Sequence, residues 1–593
     1  MRNSQSIYRL LYRIWHNILP RRRWQFVLLL GLTVVSSFAE VVSLSAVVPF
    51  IGIITQPDKV FNSPTIAGFA KALGIISASD LVLPITIAFA LAGLIAGVLR
   101  LILLRVSIRL GNATGADLSI EVYRRTLYQP YSVHVARSSS EIISGITQKV
   151  GTASSVLLSV VNVVTSAVLF VAILITLLAY DPLVATVASF SFASAYGIIA
   201  WITRHRLILN SQRIAQEQTQ VVKALQEGLG AIRDVLIDGA QTIYCNVYRK
   251  SILQLQRASG ENNFINQAPR FAMESLGMAM IAFFVLAMSA NPGGIGAKLP
   301  MLGMLALGAQ RLLPLMQQLY GNWSMVAGSK AALIDVLVLL DQPLPIEAFQ
   351  SEPAPLTLKG TICFDNIQFR YGSNSPWVLN GINLTIPKGA RVGFVGRTGS
   401  GKSTVLDILM GLLEPTQGKV LVDGQPLTHE LMRAWQRTIA HVPQSIFLAD
   451  DTIAGNIAFG ITPDQIDLER VRMAAKQARI AEFIESRPEG YNAIVGERGV
   501  RLSGGQRQRI GIARALYKQA NVLIFDEATS ALDSETEQSV MQAIEGLSED
   551  LTIFIVAHRL STLKNCHMIV QLEHGKINNK YSYEQLINTN NAL

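Results

Sequence analysis

Apolar residues fill the first half of the chain in blocks longer than a globular core requires, separated by polar stretches that still suit helices. From Val156 to Ala179 there is no charged residue. A helix needs about 20 apolar residues to cross a ~30 Å hydrocarbon layer. The pattern therefore predicts six spans, at 24–55, 81–106, 152–179, 183–203, 271–290 and 299–322. Tyr180-Asp181-Pro182 leaves only a tight turn between the third and the fourth. The stretches 107–151 and 204–270 are long, mixed in charge and helix-compatible, so some helices are expected to project beyond the bilayer. Over 1–23, Ile7, Leu10, Leu11 and Ile14 recur at helical spacing among basic residues, with Trp15 and Trp24 nearby. That predicts an interfacial helix on the membrane surface. Ile66, Phe69, Leu73 and Ile76 share one helical face, which fits either a small external helix or simple loop packing.

The pattern changes after Leu340. Pro343, Pro345, Pro353 and Pro355 oppose regular structure and mark a linker over 331–357. From 358 to 593 short β-rich runs alternate with amphipathic helices, as in an α/β domain. The predicted fold is an α-helical membrane domain over 24–330 followed by an α/β domain at 358–593.

Composition agrees. Half the residues are hydrophobic, 16% are charged and the mean hydropathy is +0.35, values that favour a membrane protein over a soluble enzyme. Charge then sets orientation. Residues 1–340 hold 27 Lys and Arg against 14 Asp and Glu. The loops 56–80, 180–182 and 291–298 contain only Lys59, Lys71 and Lys298, balanced by Asp58, Asp80 and Asp181. The opposite side carries Arg21-Arg22-Arg23, Arg124-Arg125, Arg204 and Arg206, so the N-terminus, both long loops and the C-terminal region are expected in the cytoplasm. Cys245, Cys363 and Cys566 match no disulfide frame or metal spacing and suit a reducing compartment. A soluble ATPase acting on nucleic acid would use the basic half for its ligand, but six apolar spans argue against it.

The chemistry lies in the second half. Gly396-Arg397-Thr398-Gly399-Ser400-Gly401-Lys402-Ser403-Thr404 follows the apolar run Arg391–Val395 and leads into a helix-compatible segment. Strand, glycine loop and helix form the context of a phosphate-binding P-loop, whose backbone N–H groups turn around phosphate oxygens. Lys402 would meet the β- and γ-phosphates and Ser403 would hold Mg²⁺. Val522-Leu523-Ile524-Phe525 delivers Asp526 and Glu527 at a strand end. Such a pair is often only solvated; downstream of a phosphate loop it suits Mg²⁺ binding and activation of the attacking water. Leu502-Ser503-Gly504-Gly505-Gln506 reads as a flexible turn or as a second anion site at a helix start.

Leu502 to Gln506 resembles the signature sequence of ATP-binding cassette (ABC) proteins, and the remaining cassette elements follow in the expected order. Tyr371 resembles the aromatic residue that stacks on adenine, Gln444 the Q-loop glutamine, Ser530-Ala531-Leu532-Asp533 the D-loop, and His558 the switch histidine. Gly496-Glu497-Arg498-Gly499 resembles the segment before the signature in ABC exporters. The resemblance implies ATP and Mg²⁺ as cofactors, with Glu527, His558 and Gln444 catalytic and Ser403, Gln444 and Asp526 at the metal. It also implies a half-transporter in which two cassettes pair head to tail, each ATP lying between one phosphate loop and the partner's signature. With both halves intact, a homodimer suffices. Segments near 130–140 and 236–247 would be coupling helices.

Glu40, Arg100, Arg270 and Arg311 stand near or inside apolar runs. An arginine at mid-bilayer costs roughly 2.5–3.5 kcal/mol on insertion scales, so it normally faces water or a ligand; guanidinium groups bind phosphate bidentately. Phe38-Ala39-Glu40, the run to Val48-Pro49-Phe50, Ala268-Pro269-Arg270 and Arg311-Leu312-Leu313-Pro314 resemble bacterial lipid-linked oligosaccharide flippases, with Gln318 where a further arginine is expected. That resemblance implies an inner-membrane flippase moving an anionic glycolipid from the inner to the outer leaflet. The alternatives are export of another amphiphile (a lipid A-like lipid, a peptide or a drug), or an importer with an exporter-like fold.

Overall fold

The structure, a computed structural model, describes residues 6–55, 61, 77, 79–180, 182–289, 299–350, 352–527, 535, 537, 538, 540, 542, 550–557 and 559–590, less some helix side chains, among them those of 299–311. It divides into two compact units, one made of the chain up to Gln129 and of His134–Leu344, the other of Pro130–Val133 and the chain from Pro345 onward.

The chain up to Leu344 is helical. Its elements are α1 (Ile7–Asn17), α2 (Pro20–Ser45), α3 (Val47–Thr55), α4 (Val82–Leu127), α5 (Tyr131–Ala136), α6 (Ser139–Ser144), α7 (Val150–Tyr180), α8 (Pro182–Gly230), α9 (Ile232–Ile237), α10 (Gln241–Ser289), α11 (Leu299–Gly328) and α12 (Lys330–Leu340). Among the described residues three helices are long and apolar enough to cross a membrane: Pro20–Ser43, Val82–Leu127 and Ser139–Ile175. Leu312–Gly328 and Lys330–Leu340 pass the same test together, across a 54° bend. Of the other two predicted spans, 183–203 lies inside α8, and 271–290 falls on α10 as far as Ser289. At 1.5 Å per residue, α4, α8 and α10 are each roughly 70 Å long, so more than half of each rod stands outside the hydrocarbon. The first predicted span is two helices, broken at Ala46.

Small residues let α4 and α7 close up. Gly111 and Gly115 stand one turn apart on α4; a Cβ at Gly111 would lie 2.4 Å from Leu158, and Ser154 donates to the Gly111 carbonyl at 2.8 Å. A small residue at every fourth position is what allows such an approach. The bend after Gly328 has a local cap, since Ser211 of α8 accepts from the Ala331 N–H at 2.8 Å. Two expectations change here. The predicted linker over 331–357 begins as helix: α12 buries Leu333, Val336, Leu337 and Leu340. The apolar face of α1, expected to lie against lipid, packs Leu10 and Ile14 into the same cluster as those α12 residues. The residues read as an external helix, 66–76, lie outside the described residues.

The second unit contains β1 (Thr361–Phe369), β2 (Leu379–Pro387), β3 (Arg391–Val395), α13 (Lys402–Leu409), β4 (Gln417–Val422), β5 (Gln425–Pro426), α14 (His429–Thr438), β6 (Ile439–Val442), α15 (Ile453–Ile457), α16 (Leu468–Gln477), α17 (Ala481–Glu485), α18 (Gly504–Tyr517), β7 (Val522–Asp526), β8 (Thr552–Val556), β9 (Met568–Glu573), β10 (Lys576–Tyr581) and α19 (Tyr583–Asn590). One sheet is antiparallel, in the order β2-β1-β4-β5; the other runs β10-β9-β3-β8-β7-β6, parallel except at β10. A parallel sheet is covered on both faces, so its strands are apolar throughout. β7 shows the pleat: Val522 and Ile524 join the cluster around Phe364, Phe394 and Trp435, whereas Leu523 and Phe525 join the one around Val442, Ile453 and Ile510. The fully buried Trp435 donates its indole N–H to the Leu409 carbonyl at 2.7 Å, anchoring α14 to the end of α13. The core thus fixes the carboxyl ends of β3, β6, β7 and β8, where the predicted site residues lie.

Candidate nucleotide site

β3 ends at Val395 and the chain turns through Gly396–Gly401 into α13. Glycine is required by geometry at Gly401, with φ +101, and at two earlier positions of this turn. Gly396 has φ +150, and a Cβ there would lie 2.3 Å from the Leu572 carbonyl oxygen of β9; Gly399 has φ +81 with open space around it. The buried Lys402 folds its ammonium back to donate to the carbonyls of Gly396, at 2.8 Å, and Arg397, at 3.1 Å. Ser400 is buried, and its hydroxyl is without a partner among the described residues. A helix N-terminus, a lysine and an unpaired hydroxyl around one glycine turn fit a polyphosphate.

Oxygen donors for a hard cation lie alongside. Gln444, just after β6, donates through Nε2 to Glu527 Oε2 at 2.6 Å. Glu527 sits at φ +51, a conformation costly for a side-chain-bearing residue, while its N–H donates to the Val556 carbonyl at 3.0 Å. Burial and the neighbouring Glu527 push the Asp526 carboxyl above its usual range, against an opposing pull from Lys402. Ser403, Gln444 and Asp526 have the donor chemistry that Mg²⁺ takes. Sequence reading missed a third carboxylate here. Asp407 on α13 is pushed up to about 6 by burial and then by Asp526; its only signal was one acid within Val405–Met410.

Tyr371 is 61% exposed, its ring edge-on to Phe369 at 5.0 Å, and so has a face open for a purine. The signature forms the start of α18. Ser503 and Gln506 cap it reciprocally: the Ser503 hydroxyl accepts from the Gln506 N–H at 3.2 Å, and Gln506 Oε1 accepts from the Ser503 N–H at 2.9 Å. Leu502 is buried as the hydrophobic anchor, which leaves the N–H groups of Gly504 and Gly505 at an open helix start. Among the described residues no hydrogen bond or ion pair links this turn to Gly396–Thr404. Asp533 and His558 lie outside the described residues, as does the Arg311 side chain.

In the first unit the predicted cavity residues separate into pairs. Arg100 on α4 meets the buried Glu40 of α2 at 3.4 Å. Arg270 pairs with Glu274, one turn along α10, at 2.7 Å. Gln318 accepts from Ser166 of α7 at 3.0 Å.

A membrane-spanning helical unit joined to a phosphate-loop ATPase defines a nucleotide-driven membrane transporter. Residues 26–292 match the ABC transporter transmembrane region, and 379–530 match the ABC transporter domain itself. The chain is 31% identical over 490 residues, 81% of each chain, to the ATP-dependent lipid A-core flippase of Cupriavidus pinatubonensis. It is also 31% identical over 472 residues, 79% of this chain and 80% of the other, to that of Chromohalobacter salexigens. A leukotoxin translocation ATP-binding protein of a Pasteurella haemolytica-like species is 42% identical over 289 residues, 48% of this chain and 40% of that one. Among solved structures, a bacterial Atm1-family ABC exporter with ATP bound superposes with a TM-score of 0.74 at 25% identity, over 96% of both chains. This chain belongs to the ABC transporter family. It is a multi-pass integral membrane protein that binds and hydrolyses ATP, and its fold is that of an exporter.

Proposed function

We propose that this chain is an ATP-driven lipid flippase that moves a phosphate-bearing glycolipid from the inner to the outer leaflet of a bacterial inner membrane. The observation that carries the reading is Arg100 within the apolar run of α4 and Arg270 at the edge of the apolar stretch of α10, where a guanidinium is retained for a ligand, for water or for a counter-ion such as Glu40 and Glu274. Relatives named lipid A-core flippases over about four-fifths of the chain support a lipid cargo. A lipid A-type lipid and a lipid-linked oligosaccharide both present phosphate beside sugar, so the arginine chemistry suits either. The leukotoxin relative matches less than half of either chain and so bears little on cargo.

The functional unit is a homodimer: a chain that carries one phosphate loop and one signature needs a second copy to supply the facing half of each ATP site. Mg²⁺ would sit among Ser403, Gln444 and Asp526, and Glu527 would polarise the attacking water; His558 would sense the γ-phosphate. The excess of basic residues on one side of the spans supports a cytoplasmic N-terminus and cytoplasmic cassettes. The test is flipping in proteoliposomes, with ATP on the cassette side and a panel of lipids: a pyrophosphate-linked glycan, lipid A, a neutral glycolipid and a peptide. Arg270→Ala with Arg311→Ala should abolish flipping of the phosphate lipids while basal ATP hydrolysis survives. Undiminished flipping would defeat the arginine assignment, and flipping of the neutral lipid alone would defeat the proposed cargo class.

A further inference from the structure

β7 and β8 lie side by side, with Asp526 opposite Val556. The segments leaving their carboxyl ends carry Glu527 and Asp533 on one side and His558 on the other. The Glu527–Val556 backbone bond is one tie between these segments. A second lies farther along. Glu537 is helical and 5% exposed. One carboxylate oxygen accepts from Arg559 Nη1 at 2.9 Å, and the other from Thr562 Oγ1 at 2.7 Å. Val540, one turn on, is fully buried, which fixes that helix face; Thr562 and Leu563 are buried on the other side. A carboxylate this deep needs donors at its oxygens. Both of these donors come from the five residues that follow His558.

We propose that Glu537 is a positioning residue for ATP hydrolysis: it ties the helix that follows Asp533 in the chain to the short 3-10 turn Leu560–Leu563 that follows His558 in the chain. Thr562 gives a neutral bond and Arg559 a charge-assisted one, and together they fix both the distance and the tilt of that turn. The inference rests on the proposed role of His558 at the γ-phosphate. Groups that orient a reacting group from behind typically cost 10–100-fold in activity when lost.

The test measures ATPase kinetics, ATP affinity and melting temperature of the full-length dimer for four variants. Glu537→Ala and Thr562→Val should lower kcat, the first by tenfold or more, while KM for ATP and ATP affinity stay within about threefold. Glu537→Gln, which keeps an acceptor for Thr562, should fall between wild type and Glu537→Ala. Thr562→Val leaves one buried carboxylate oxygen without its donor, so a modest fall in melting temperature is expected, and its loss of kcat, measured well below that temperature, should exceed what the fall accounts for. His558→Ala separates the two ideas. If it turns over ATP at the wild-type rate, the reading of His558 fails and the inference falls with it. If it is slow, yet Glu537→Ala and Thr562→Val keep wild-type kcat, or lose rate only in step with ATP affinity or melting temperature, Glu537 is a packing residue and the inference alone is overturned.

Discussion

The phosphate loop offers a graded test, because Gly396 and Gly399 are needed for different reasons. At Gly399 the backbone is left-handed and nothing lies within 4 Å of an added Cβ, so alanine there incurs backbone strain alone. That strain is about 1–2 kcal/mol, a five- to thirtyfold weakening of ATP binding if the loop must hold this shape on the nucleotide. Gly396→Ala adds a steric term. Its Cβ would stand 2.3 Å from the Leu572 carbonyl oxygen, about 1 Å inside ordinary contact, and the obstacle is backbone of β9, hydrogen-bonded on both sides to its neighbours. Neither a rotamer change nor a small shift relieves it, so the cost should reach about 3 kcal/mol or more, over a hundredfold in affinity. Equilibrium ATP binding to the detergent-solubilised dimer, in a Glu527→Gln background to prevent turnover, reads both variants directly. Gly396→Ala should bind at least about fivefold more weakly than Gly399→Ala. If the two bind ATP within threefold of each other, the close approach of the loop to β9 does not govern the site.

Three further outcomes follow from the same geometry. Glu527→Gln should preserve ATP binding and nearly abolish hydrolysis; wild-type turnover would refute its role as general base. Burial lowers the His441 imidazole from its ordinary 6.5 to about 4, so the fold holds it neutral while the unfolded chain gains a proton below pH 6.5. Its contribution is therefore fully present above about pH 6.5 and lost as pH falls toward 4, by about 2 kcal/mol at pH 5. Asp407 acts with the opposite sign over this range, so the measurement is the difference in melting temperature between wild type and His441→Asn from pH 7.5 to 5; a constant difference would exclude the histidine. Lys149 is buried and donates to Asp335 at 2.6 Å and to Thr219 at 3.0 Å. Asp335→Asn should destabilise by about 1–2 kcal/mol, reduced by the partial exposure of Asp335, and the double variant Lys149→Met/Asp335→Leu should melt higher than that single variant.

The cassette was legible in the sequence because its chemistry constrains backbone as well as side chains. A loop that wraps phosphate with N–H groups demands glycine at fixed offsets, and a parallel strand buried on both faces demands an unbroken apolar run. Gly396–Thr404 and Val522–Glu527 therefore announce structure and function in the same letters. Glu537 carries no such mark. It is one acid among several after Asp533, and only the fold sets it against Arg559 and Thr562. The helical unit was legible in its lengths but not in its contacts. Hydropathy sees one apolar residue much like another, so it could not tell that Leu10 and Ile14 would meet α12 rather than lipid. Nor could it mark Gly111 as the point where α4 admits Leu158.

The membrane charges show how this blindness alters a functional reading. Four isolated ionisable residues in apolar helices suggest a cluster awaiting an anion. Glu40 and Arg100 lie 60 positions apart in the chain and pair across α2 and α4, which no periodicity within one helix reveals. Arg270 and Glu274 could have been paired from their spacing alone, four residues along a helix. Two of the three arginines thus carry a protein carboxylate as resident counter-ion, and each offers an incoming phosphate less net positive charge than its sequence position implied. The span 299–322 contains no acid at all, so Arg311 has no counter-ion within its own span. If headgroup charge is what the transporter reads, Arg311→Ala should therefore weaken binding of a phosphate lipid more than Arg100→Ala or Arg270→Ala, and equal losses at all three would place the discrimination elsewhere.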